Sequence, residues 1–150
     1  MRFDASANLA AVTAIARRLA SDATLSALMT RKVRDDGTID LNARLAAVHY
    51  RFRSRVLSSF ADQPAGSERP CIIYVSVEPT RIVAYQRYDD SCDLALVRPP
   101  RCPIAQVLVR ARAAGAPSPA LTDLHYGHVG GALQWSVTIG GLALEIADDC

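Results

Sequence analysis

Apolar residues in this chain recur with two different periods, and the change from one to the other divides it. Between residues 7 and 20, Leu9, Val12, Ala16 and Leu19 recur at threes and fours, with Ile15 filling the stripe. That spacing predicts an amphipathic helix. Arg17 and Arg18 stand near its C-terminal end, where the helix dipole favours cations. Leu25, Leu28 and Met29 keep helical spacing behind Asp22, a good N-cap residue, and predict a second short helix.

The stretch "HYRFRSRV" (49–56) fits both periods. As a strand it puts Tyr50, Phe52, Ser54 and Val56 on one face and Arg51, Arg53 and Arg55 on the other. As a helix from Leu41 to about Phe60, capped by Asp40, it gathers Leu45, His49, Phe52, Val56 and Phe60 into one apolar sector. Arg44, Arg51 and Arg55 then form a stripe roughly 120° away, at about 100° per residue. The helical pattern is longer, begins at a cap and runs through "ARLAAV". The expectation is therefore a helix with a solvated arginine stripe.

Past the polar connection "DQPAGSERP" (62–70) the period falls to two. "CIIYVSV" (71–77) is rich in β-branched residues and predicts a strand, and "IVAYQRY" (82–88) returns beside it as a hairpin after "EPTR". "DDS" (89–91) reads as a second turn and "CDLALVR" (92–98) as a third strand, stopped by "PPRCP". Ile104, Val107, Leu108 and Ala111 predict a helix over 104–114, ended by Gly115. "LTDLHY" reads as extended, and "ALQWSVTI" (132–139) with "LALEIA" (142–147) makes a hairpin across Gly-Gly. On the "ALQWSVTI" strand, Trp135 shares a core face with Leu133, Val137 and Ile139. The expected fold is α+β: N-terminal helices packed on an antiparallel sheet of five or six strands, one further helix inserted between the strand groups, in a single domain of residues 1–150.

Half of the residues are hydrophobic, enough to bury a core without staples. The net charge of +2 is spread unevenly: +4 over residues 1–69 and −2 over 70–150. That asymmetry falls short of the clustered basic face usual in nucleic-acid binders. Arginine supplies every cation but Lys32. The N-terminus does not read as an ordinary signal peptide, and no apolar run reaches the roughly 18 residues that would span a bilayer. The expectation is a soluble, cytoplasmic protein with Cys71, Cys92, Cys102 and Cys150 as thiols.

Chemical motifs are scarce. The chain lacks G-x-G-x-x-G, the phosphate-loop pattern, G-x-S-x-G and H-E-x-x-H. "RDDGTID" resembles the middle of a calcium loop, but that register puts Lys32, Arg34 and Ala43 where carboxylate ligands belong. It reads instead as a turn. His125 and His128 lack two further ligands for zinc, so no metal and no cofactor is expected. Cys92 sits among Asp89, Asp90 and Asp93, which disfavour a thiolate. Cys102, before a helix and after Arg101, is the better nucleophile candidate, with Asp123 and His125 as a base–orienter pair. Tyr74, Tyr85 and Tyr88 fall on the expected sheet and would form a partner surface if two share an exposed face.

"ARRLASDATLSALM" (16–29) resembles the opening of small α+β phage tail-completion proteins. The resemblance implies an assembly role and carries no residue over. The leading expectation is a non-catalytic protein-binding or assembly module, a homodimer that self-associates through a sheet face or edge. The alternative is a nucleic-acid or anionic-partner binder using Arg44, Arg51 and Arg55. The third is a small enzyme using Cys102 or the Asp123, His125 and His128 segment. No membrane partner is expected.

Overall fold

The computed structural model describes residues 1–59, 69–89, 92, 93 and 95–150. It is a mixed helix-and-strand fold dominated by one antiparallel sheet. The strands are β1 (Arg2–Phe3), β2 (Thr24–Val33), β3 (Ile39–Asp40), β4 (Ala47–Arg53), β5 (Arg69–Val77), β6 (Ile82–Asp89), β7 (Thr122–Val129), β8 (Ala132–Ile139) and β9 (Leu142–Ala147). The helices are α1 (Leu9–Leu19), α2 (Arg55–Ser59) and α3 (Ile104–Ala113). Seven strands follow one another in the order β6-β5-β4-β2-β7-β8-β9, and β1 and β3 attach at the end of β2.

The first expected helix is present as α1, burying Leu9, Val12 and Ala16. The second is not. Residues 24–33 form β2, the central strand, paired with β4 on one side and β7 on the other. Leu25 and Leu28 mimic helical spacing because the register shifts between Leu25 and Ala27. A bulge adds one residue, so two side chains three apart both reach the core face. Asp22 does cap a helix, but a remote one. It accepts from the Arg55 N–H (2.8 Å), the Val56 N–H (3.1 Å) and the Ser54 hydroxyl (2.5 Å), which starts α2. Burial pushes the Asp22 carboxyl up, and those donors outweigh it and hold it below the usual range.

The expected long helix over 41–60 is also overturned. Residues 47–53 form β4, with burial alternating strictly along it. Val48, Tyr50 and Phe52 are buried, and His49, Arg51 and Arg53 face the other way. Period two wins because β4 gains backbone partners on both sides, β2 and β5. Phe60, most of the expected connection over 62–70, Asp90, Ser91 and Leu94 lie outside the described residues. The described part of the expected third strand, 92–98, is irregular. Its Val97 N–H reaches the Leu25 carbonyl across the end of β2.

The remaining elements fall close to where the pattern places them. β7 runs on to Val129 and meets β8 through Gly130-Gly131, just as Gly140-Gly141 joins β8 to β9. All four glycines have positive φ, the geometry of a two-residue turn between twisted strands. The core lies between the helices and one sheet face: Val12 and Ala16 of α1 and Ile104, Val107 and Leu108 of α3 pack with Leu28, Tyr50, Tyr126, Trp135 and Val137. α1 lies against β5 and α3 against β9.

The cysteines correct a further expectation. Cys71 pairs with Cys92 and Cys102 with Cys150, so none is a free thiol. The second disulfide lies beside Asp148, whose side chain is fully buried. Asp148 accepts from the Cys102 N–H (2.8 Å), the Arg101 N–H (2.9 Å), the Tyr126 hydroxyl (3.2 Å) and the Trp135 indole N–H (3.4 Å), and it pairs with the Arg98 guanidinium. Burial pushes its carboxyl up. The Arg101 and Cys102 N–H donors, then Arg98, outweigh burial and hold it below the usual range.

Candidate functional site

Strand pairing places the side chains of the opposite sheet face in rows. One row runs Val83, Ser76, His49, Met29, His125, Ser136, Glu145 from edge to edge. The next holds Tyr85, Tyr74, Arg51 and Ala27, and a third holds Arg87, Ile72, Arg53 and Thr24. Among the described residues no helix packs on this face, since α1, α3 and Leu57 of α2 all pack on the core side. At one end Cys71, Ile72 and Cys92 form a small apolar cluster with Tyr74 against it.

The β2–β4–β5–β6 half of this face carries Arg31, Arg51, Arg53 and Arg87. The strand carboxylates of this face are Asp123 of β7 and Glu145 of β9 in the other half, and Asp89 at the end of β6 in this one. Among the described residues, Arg31, Arg51 and Arg87 make no ion pair. The Nε of Arg51 is buried without an acceptor. Arg87 lies over the Tyr74 ring at 5.6 Å, and Tyr74 stacks on Tyr85 with ring centroids 5.7 Å apart. Such stacking fixes a guanidinium while leaving its N–H donors available.

Two imidazoles complete the surface. His49 Nδ1 is 2.9 Å from the Ser76 hydroxyl. Burial, then the Arg31 charge, holds its pKa below the usual histidine value. His125 lies over Gly127, where a Cβ would come within 3.1 Å of the ring. Burial, then the Arg51 charge, lowers it in the same direction. Both rings are therefore neutral at pH 7 and acquire charge only as the pH falls. Shallow depressions of about 280 and 300 Å³ flank the Met29 row. A larger groove of about 710 Å³ lies away from these groups, between α1 and Pro99-Pro100, and is lined by Ala7, Ala10 and Ala14 together with Thr13, Arg17 and Arg18.

The arginines expected to form a helical stripe are not together. Arg44 is exposed in the turn before β4, Arg55 opens α2, and only Arg51 is on the sheet face. Arg53 joins it there, as the strand reading of "HYRFRSRV" places it, and Arg31 and Arg87 are companions that the sequence pattern did not single out. Tyr74 and Tyr85 do share this face, whereas Tyr88 is on the other. The enzyme candidates disperse. Cys102 is buried in a disulfide. Asp123 accepts from the Lys32 backbone N–H at 3.0 Å. His128 alternates to the face opposite His125. Among the described residues no group of three or more His, Cys, Asp or Glu side chains converges to hold a metal. No helix among them is long and apolar enough to cross a membrane. No protein-family model matches the chain, and neither a curated protein nor a solved structure matches it.

Proposed function

We propose that residues 1–150 act as a single non-catalytic binding module whose working surface is the sheet face on which no described helix packs, and that its partner is anionic. The observation that carries this reading is Arg51: a half-buried guanidinium with no carboxylate paired to it among the described residues and a buried Nε lacking an acceptor, on the same face as Arg31, Arg53 and Arg87. A cation in such a setting is costly unless something negative arrives to pair with it. An arginine held over a ring, as Arg87 is over Tyr74, suits carboxylate, sulfate or phosphate oxygens. Two disulfides favour an oxidising compartment over the cytoplasm, and so favour an anionic partner other than nucleic acid.

The test is retention on immobilised heparin, used as a generic polyanion. The native protein is expected to bind and to elute with salt. Arg51→Gln with Arg87→Gln is expected to abolish retention while the thermal midpoint stays put. Retention unchanged by this double substitution would overturn the reading.

A further inference from the structure

We infer that the chain forms a two-fold homodimer by antiparallel pairing of its β6 edge strands, with Tyr85 on the axis. β6 ends the strand order, and among the described residues nothing pairs with its outer side. It is eight residues long and regular, and it carries no lysine or proline. Natural sheets blunt such edges with charge, proline or bulges, or use them for association. The one bulge in the β5–β6 ladder puts its extra residue on β5.

The ladder identifies the outward groups. The Glu78 N–H bonds to the Arg81 carbonyl, which makes Val77 and Ile82 a non-hydrogen-bonded pair. By alternation, Ile82, Ala84, Gln86 and Tyr88 point their N–H and C=O away from β5. On the helix side of this strand, Ala84 packs against the core. Ile82 and Tyr88, on the helix side, are 45% and 58% exposed.

Only one register satisfies these groups together. With Tyr85 opposite its own copy, Ala84 meets Gln86 of the second copy as a hydrogen-bonded pair. Each Ile82 meets a Tyr88, so the exposed apolar side chains cover one another. On the other face Val83 meets Arg87, and Arg81 meets Asp89. Arg81 keeps its Glu78 partner, and Asp89 keeps the Cys92 N–H. A slip of two residues one way sets Arg81 against Arg87, which are like charges. A slip the other way carries Ile82 past the end of the strand. The two-fold axis then stands perpendicular to the sheet, so the helices of both copies lie on one side and the arginine faces join on the other.

Size exclusion with light scattering over a wide concentration range tests this. A concentration-dependent species of twice 16.2 kDa is expected. Ile82→Lys with Tyr88→Lys sets lysines opposite each other and is expected to weaken dimerisation at least tenfold. Val109→Lys, at an exposed apolar position on α3, leaves it unchanged. Circular dichroism confirms that each variant folds. In a second arm, Tyr85→Cys is expected to link to its own copy under air, with the two native disulfides intact by peptide mapping. A monomer at every concentration would overturn the inference, as would a dimer indifferent to the lysines at 82 and 88. A dimer broken only by Leu142→Lys on the β9 edge would also overturn it. Ile82 and Tyr88 lie off the arginine face, so failure here leaves heparin retention unaffected, and the reverse also holds.

Discussion

The two faces of the sheet solve opposite problems. On the helix side, buried Asp148 collects five donors, and every one of them is spent within the chain. On the other side, Arg51, Arg87 and Arg31 keep donors that no carboxylate among the described residues takes up. A saturated buried network stabilises and specifies a fold. An unsaturated one of a single sign leaves interaction energy available to a partner. The difference teaches where substitutions act: on folding at one face and on binding at the other.

The comparison breaks most sharply at Asp148. Asp148→Ala strands the Arg98 guanidinium and two backbone N–H groups, and should cost about 3–5 kcal/mol in denaturant unfolding. The same carboxyl should make the protein acid-labile. Its folded pKa lies below the unfolded value. Its contribution is therefore present above about pH 4 and is lost as the pH falls through the folded pKa. Removing the neighbouring disulfide with Cys102→Ser and Cys150→Ser should cost about 2–4 kcal/mol, because it frees a tail that closes a loop of sequence separation 48. Neither change should alter heparin retention measured under conditions where the variant is folded.

Changes on the arginine face should show the reverse. Arg51→Gln alone should leave stability within about 0.5 kcal/mol, and should lower the salt needed for elution from heparin. A loss of stability comparable to that of Asp148→Ala would erase the distinction between the faces. The smallest effect concerns His49 and His125. Their folded pKa values are lowered, so both are neutral at pH 7 and become charged only below the usual histidine range. Retention should strengthen modestly as the pH falls below the usual histidine range, and His49→Gln with His125→Gln should remove that increment.

Much of the strand content was legible because local pattern and tertiary context agree there. β5 and β6 are rich in β-branched and aromatic residues, β8 and β9 alternate, and two glycines suffice to join β8 to β9. α1 and α3 carry apolar stripes of the right period and needed nothing from the rest of the chain. The local chemistry of Asp22 was also legible, though not the helix it caps. The arginine site was half legible: the strand reading of "HYRFR" puts Arg51 and Arg53 on one face, whereas Arg31 and Arg87 reach that face only through strand pairing.

What the tertiary structure alone decided has one physical cause. β2 and β4 hold the centre of the sheet, and their conformation is set by partners distant in sequence. A bulge near Ser26 turned strand geometry into apparent helical spacing, and the alanines before β4 made a helix look continuous. No local pattern reports a backbone hydrogen bond to a strand almost a hundred residues away, such as the pairing of Met29 with His125. The same holds for the disulfide partners, because four cysteines allow three pairings and only the folded distances choose among them. The sequence by itself determined which segments are apolar and with what period. The fold decided which arginines share a face, because that face exists only once the strands have paired.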